Sequence, residues 1–486
     1  MLYRTAKRFT TPWLLPAALL AAAIWLPVAA AAPATDTADP AAVGAPESDY
    51  KSTPTNTEVT PGEPADTVSS IGDEAHTATT LRGMFEKGEV DGNLRMLYYA
   101  NHNAFFLDAV AGDHDRNTAA VGGKLGFTTA SLRGLSVRLS AYAQRNFARS
   151  SDSNDLGSTG YNRDLGRDIS TLGEAYLQYE GQYAGNGVRV RAGNQALTAV
   201  PFTSTFDYRI IPQLYQGVSA RYGDDERYLS AMRIYRFKSR IGDSYDRTTN
   251  YNADAFEAPP PNTNGETDGF WAVGGADKAA LGATDVSGKA WFVNYQDYAN
   301  MAYFEGKVAA VDGYVRPFIG AQFIRETDEG RALLGRIDHH SYGAQLGLQR
   351  GSLTATLNYD YIPRERNSVL NGALVTPYAH NEASGPLFAQ PYLTSTQDLG
   401  AGNAYAAAIE GGPTDSILLG ARYSYIDLTP DAGSESIGQS EYLVYGIYNF
   451  SGAFEGLSVN DFFAYQTQKI QDRDYWENRL ALEYAF

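Results

Sequence analysis

Two arginines stand two residues apart in "VRVRAG": Arg189 and Arg191 alternate with Val188, Val190 and Ala192. At period two, both guanidiniums leave the chain on one side and the apolar residues on the other. Guanidiniums on the wall of a narrow aqueous space hold carboxylates bidentately and concentrate anions. Lys124, Arg138, Arg221, Arg316 and Arg422 hold similar places in their own alternations. Such cations also neutralise facing carboxylates, Glu174 for example, and so brace a wall. For any one of them both roles stand; the Arg189–Arg191 pair is assigned to a pore.

A second candidate is "TSTFDYRIIP", an apolar stretch between two strand-like segments. An exposed connection this greasy is expected to fold inward as a constriction, with Phe206, Asp207, Tyr208 and Arg209 near the eyelet. Packing on a neighbouring subunit is the competing reading.

Other chemistry is sparse. His339 and His340 are adjacent, with Asp338 and Ser341 beside them. A hydrolase needs nucleophile, base and orienting group to converge in space. Neighbours on a strand diverge, so these are read as strand-entry residues. The acidic "IGDSYDRTTNYNAD" offers oxygen ligands suited to calcium but lacks the spacing of an EF-hand loop. The absence of cysteine removes disulfides, thiolate nucleophiles and cysteine-ligated metals. No catalytic residue, metal or cofactor is assigned, and nucleic acid is not an expected partner.

The elements that position these residues are strands. From Asn93 onward about eighteen strand-like segments recur, joined alternately by short turns and longer polar stretches. That alternation predicts an all-β, antiparallel, up-and-down transmembrane β-barrel, since a closed barrel of this kind takes an even strand number. Sixteen strands is the alternative count. Within segments the faces separate cleanly. Tyr342, Ala344, Leu346 and Leu348 oppose Gly343, Gln345, Gly347 and Gln349. The apolar side is expected to face lipid and the polar side water. Tyrosine, 34 residues in all, clusters near strand ends, as at Tyr98, Tyr359, Tyr361, Tyr423 and Tyr425, where interfacial girdles form. The chain ends on "RLALEYAF", with Leu480, Leu482, Tyr484 and Phe486 on one face.

The amino terminus differs. Arg4, Lys7 and Arg8 precede an apolar run closing on small residues, so residues 1–31 read as a signal peptide. Residues 32–80 hold nine acidic residues against one base, Lys51, and show no apolar periodicity. They read as a disordered periplasmic tail that carries almost half of the net −17. Residues 81–486 are left as the barrel.

One segment, "GEAYLQYEGQYAGNGVRVRAGNQALTAVPFTSTFDYRIIPQLYQGVSARY", resembles the OprD family of outer-membrane porins. Its matching residues are Arg191, Gly193, Gln195, Asp207, Arg209, Pro212, Gly217 and Val218, with Tyr215 where an aromatic is usual. "GEVDGNLRMLYYANHN" is similar to the family's first strand, and the likeness runs from about Phe85 to Phe486. The resemblance implies an eighteen-stranded channel in a Gram-negative outer membrane, narrowed by inward-folding loops and passing small solutes, often carboxylates, by facilitated diffusion. It also implies that the terminal aromatic, Phe486, is read by the outer-membrane assembly machinery. Expected partners are outer-membrane lipids and small hydrophilic solutes, and the protein is a monomer or a trimer. Long stretches near Ile241–Asp268 and Arg366–Gly402 depart from the pattern and could cover the mouth. The alternatives are a barrel lipase or protease, resting on His339 and His340, and a surface adhesin or structural barrel, resting on the long loops.

Overall fold

The computed structural model describes residues 77–102, 115–151, 163–197, 200–203, 209–251, 266–379, 387–393, 399–430, 433–468 and 474–486. Twenty strands form one sheet, and two of them are two-residue pieces, Thr77–Ala78 and Ser131–Leu132. The other eighteen make the barrel. The first nine are β1 (Glu89–His102), β2 (Asp115–Thr128), β3 (Leu135–Ser151), β4 (Ile169–Tyr183), β5 (Asn186–Gln195), β6 (Leu214–Gly223), β7 (Tyr228–Lys238), β8 (Phe270–Leu281) and β9 (Thr284–Tyr295). The second nine are β10 (Ala299–Ala310), β11 (Arg316–Asp328), β12 (Asp338–Arg350), β13 (Leu353–Ile362), β14 (Ala401–Thr414), β15 (Ile417–Thr429), β16 (Gln439–Asn449), β17 (Leu457–Gln468) and β18 (Asp474–Ala485). Each of the eighteen segments read from the sequence coincides with one of these.

Every barrel strand pairs antiparallel with its sequence neighbours, and β1 pairs with β18 to close the ring. The chain's last residue completes the seam: Phe486 and Gly92 exchange two backbone hydrogen bonds of 2.9 Å. Closure leaves no unpaired edge, which hydrocarbon could not satisfy. The interior is polar and the exterior apolar. Leu346, Leu348 and Leu357 are more than half exposed, whereas Gln144, Gln195, Gln345 and Gln466 are buried inside. That inversion of a soluble core suits a lipid solvent.

Connection length separates the two ends. At the end bearing Phe486, β4 and β5 are joined by Ala184 and Gly185 alone, both with positive φ (50° and 83°). That is the primed two-residue turn whose twist matches a hairpin. At the same end the six-residue helix α1 (Leu81–Glu86), capped by the Thr80 hydroxyl, packs Met84 against Ala78 and Ala130. Thr77–Ala78, within the expected acidic tail of residues 32–80, pair with Ser131–Leu132 in the β2–β3 turn. The opposite end carries the long connections, although β9 and β10 are joined there by only residues 296–298.

Two long connections fold inward. In the β5–β6 connection, Phe202 packs edge-on against Tyr303 of β10 and Thr203 bonds the Tyr295 hydroxyl of β9. Ile210 and Ile211 of that connection pack with Leu97 of β1, Ala120 of β2 and Tyr142 of β3. The β13–β14 connection sets Tyr378 among Tyr215, Phe237, Phe270 and Tyr295, rings on the inner face of β6 to β9. Its later part reaches Tyr392, which meets Arg479 of β18. Both connections therefore touch widely separated parts of the inner wall and must cross the lumen.

Candidate functional site

The lumen is built from the inward residues of the strands plus these two connections. Near the short-turn end Arg138 bonds two carboxylates at once. Its Nη1 and Nη2 donate to the two Asp91 carboxylate oxygens at 2.7 and 2.8 Å, and its Nε donates to Glu174 at 2.9 Å. Lys124 lies 3.1 Å from the same Asp91. These two cations brace β1, β2, β3 and β4 together, as bidentate guanidinium geometry favours.

Arg189 and Arg191 both project inward from β5, with different partners. Arg189 Nε donates to Glu180 at 2.6 Å, whereas Arg191 Nε donates to neutral Gln178 at 2.6 Å and lies 5.0 Å from the Tyr176 ring centre. Arg221, opposite Arg189 in register, sits over the Tyr228 ring at 4.0 Å and donates to the Asp224 carbonyl in the short turn. Arg316 opens β11 opposite Gln349, at the short-turn end of its strand. Arg422 is buried and donates to the Phe388 carbonyl of the β13–β14 connection at 2.8 Å.

Of the expected eyelet residues, Phe206, Asp207 and Tyr208 lie outside the described residues. Arg209 is described: it is buried and stacks over Tyr99 at 5.1 Å, while its carbonyl accepts from Arg95 Nη1 at 2.6 Å. Arg95 is also ion-paired with Glu483 at 2.6 Å.

A cluster at the β1–β18 seam was not picked out from the sequence. Tyr99, Tyr475 and Arg479 all bond the buried Glu477 carboxylate, and Arg479 reaches Tyr392. Alternation does place Arg95 and Arg479 on the inner face, which was the available signal. For the β13–β14 connection the signal was composition. "NGALVTPYA" and "GPLFAQPYL" are as apolar as "TSTFDYRIIP", so the same criterion applied to both connections.

The histidines sit apart from any open site. His339 is buried on the inner face, 2.8 Å from the Gly372 carbonyl and 3.1 Å from Ser341 Oγ, while His340 approaches Glu365 at 3.5 Å on the outside. The third group around His339 is a carbonyl instead of an orienting carboxylate, and Ser341 is buried too.

A closed barrel with a charged, loop-narrowed lumen is the architecture of a channel. The family model "outer membrane porin, OprD family" matches residues 82–397. The chain belongs to the OprD family. Solved OprD-like barrels share its fold. OccK9 (OpdG) of Pseudomonas aeruginosa superposes with TM-score 0.66 at 17% identity, over 83% of this chain and 99% of that one. OpdK of the same organism, solved with vanillate, gives 0.62 at 15% identity over 83% and 100%. OccK2 (OpdF), in complex with glucuronate, gives 0.60 at 15% identity over 83% and 99%. No curated protein matches the sequence. As an OprD porin the chain is an outer-membrane protein of the Gram-negative type, and solutes pass through its lumen. Its short-turn end, which holds both ends of the barrel, is then periplasmic.

Proposed function

We propose that this porin passes small hydrophilic solutes bearing a carboxylate by facilitated diffusion. The observation that carries the reading is a strip of inward cations on neighbouring strands: Lys124, Arg138, Arg189, Arg191 and Arg221. Their carboxylate partners are Asp91, Glu174 and Glu180 on the wall and Asp225 in the β6–β7 turn, four against five cations. The excess gives this wall a positive potential in a space where screening is poorer than in bulk water. The likeness to barrels solved with vanillate and with glucuronate, both carboxylates, supports the same class. Residues 1–31 act in this reading as an export signal, residues 32–80 as an acidic periplasmic tail, and Phe486 as part of the assembly signal.

The test is electrical. Purified protein in a planar bilayer under a potassium chloride gradient should give discrete conductance steps and a reversal potential on the anion side. Liposomes holding it should swell faster in small carboxylates than in neutral solutes of equal size. A refolded barrel that never conducts would remove the channel reading, and cation preference with slow carboxylate entry would remove the carboxylate class alone.

A further inference from the structure

The β13–β14 connection is held against the inner wall by its backbone. Glu326 of β11 accepts the Val375 N–H at 2.9 Å, and Asp360 of β13 accepts the Ala389 N–H at 2.7 Å. Glu441 of β16 accepts from both Tyr392 N–H and Leu393 N–H, the second at 3.0 Å. His339 of β12 adds the Gly372 carbonyl and Arg422 of β15 the Phe388 carbonyl. The three carboxylates are at most 1% exposed and come from three different strands. Burying carboxylates is costly unless hydrogen bonds compensate, and bonds from N–H groups to a charged acceptor are among the strong ones. A wall serving only to close the barrel could have filled these positions with glutamine, as it does at Gln322 and Gln345.

From this geometry we infer that Glu326, Asp360 and Glu441 are positioning residues that set the bore. They hold residues 373–379 and 387–393 against the inner wall and so fix how much of the lumen stays open to solute. Because they grip main chain, these bonds do not depend on which side chains the connection carries, and the packing of Tyr378 and Tyr392 adds to them. Gln390 illustrates this. It lies between two gripped amides, is 6% exposed, and neither polar atom of its carboxamide has a hydrogen-bond partner among the described residues. Its neighbours, and not its side-chain bonds, keep its carboxamide in place. Glu441 is the strongest clasp because both its oxygens are used, with Gln466 donating to one of them at 2.7 Å. An amide at 441 would turn one acceptor into a donor facing an N–H.

The inference rests on the channel reading, so the test pairs conduction with a measurement that does not need it. The chain has no cysteine, so Gln390→Cys is a single reporter. Among the described residues the carboxamide has no partner, so its loss breaks no bond there. The thiol introduced by Gln390→Cys should react slowly with a membrane-impermeant maleimide. Adding Glu441→Gln should raise that rate by about tenfold, the order expected from losing one charge-assisted bond that resists local opening. Glu441→Gln in the wild-type background should raise single-channel conductance and admit larger neutral solutes, while the heat-shifted band on a gel still reports a folded barrel. Asp360→Asn should act the same way more mildly. Unchanged labelling in both folded variants would overturn the clasp. Faster labelling with unchanged conductance and size limit would overturn the bore-setting role. A wild-type barrel that never conducts would instead sink the channel reading, and labelling would still decide the clasp.

Discussion

Arg479 lies over the ring of Tyr392, 4.7 Å from its centroid, and donates a 3.1 Å hydrogen bond to that residue's hydroxyl. The same guanidinium is 5.2 Å from the Tyr99 ring centre, on which Arg209 also stacks. Tyr392 and Arg209 belong to the two inward connections, and Tyr99 and Arg479 to the strands that close the barrel. The seam that closes the ring is thus also where the constriction is fastened.

The seam should show strong non-additivity. Arg479→Gln leaves the Glu477 carboxylate, 1% exposed, with only tyrosine hydroxyls, whereas it is now ion-paired. Stranding a buried charge costs about 3–5 kcal/mol, and removing both partners costs less. Arg479→Gln should therefore lower the temperature at which the folded band is lost in detergent. The double variant Glu477→Gln/Arg479→Gln should recover part of the loss. Equal and additive losses would mean the two residues act independently.

The closing strand makes a second prediction, about assembly. Phe486 exchanges two backbone bonds with Gly92, and a Cβ added at Gly92 would come within 2.7 Å of the Phe486 ring and 2.6 Å of the Lys124 carbonyl. Backbone cannot yield to such a contact. Deleting Phe486, or changing Gly92 to Val, should lower the amount of folded barrel in outer-membrane fractions without altering the selectivity of the barrels that do insert. Normal levels in both variants would count against this end of the ring.

The barrel was legible because period two is local. Leu346 and Gln345 declare their faces in any register that keeps one side apolar, so strand number and orientation could be read without knowing the neighbours. The lumen was less legible because side-chain partners are not local. Nothing near Arg191 shows that it faces neutral Gln178 while Arg189 faces Glu180. Those identities follow from the β4–β5 register, which the Ala184–Gly185 turn sets. Glu477 and Tyr99 lie at opposite ends of the chain and meet only because the ring closes. The carboxylate clasps were invisible for another reason: they recognise backbone, which carries no sequence signature.

The short turn between β9 and β10 carries a pH prediction. Asp297, at positive φ, accepts from Arg331 Nη2 at 3.0 Å, and that hydrogen bond holds its carboxyl below the usual 3.8. A depressed carboxylate contributes stability that is present above its unfolded pKa and is lost as pH falls through the folded one. The contribution is small because the pair is partly exposed. Hydrogen exchange in residues 329–335, corrected for intrinsic rates, should speed up as pH drops below about 4, near the unpaired carboxylate value. In Asp297→Asn that step should vanish. A step of the same size in the variant would place the titration elsewhere.

Arg189 and Arg191 make the last prediction, because their partners differ. The positive charge of Arg189 is largely offset by Glu180 at 2.6 Å, whereas Arg191 is bonded to a neutral amide and keeps its charge for a passing anion. Each glutamine substitution removes one charge from the wall, so both should move the reversal potential toward cations. Carboxylate entry should separate them. Two unit charges about 4 Å apart interact by about 1 kcal/mol in water and about 4 kcal/mol near a protein surface. Taking the water end of that range, because the lumen is hydrated, a solute carboxylate passing Arg191 should lose about five- to tenfold in entry rate in Arg191→Gln, 1.4 kcal/mol being about a factor of ten. The loss should be smaller in Arg189→Gln, which gives up a cation already engaged. Neutral solutes of equal size should enter both variants nearly as before, and high salt should shrink every difference as the Debye length shortens. If ion preference and carboxylate entry stay unchanged in both folded variants at low salt, the two arginines brace the wall and select nothing. If Arg189→Gln proves the more damaging to carboxylate entry, the pairing with Glu180 is not what governs the charge a solute meets.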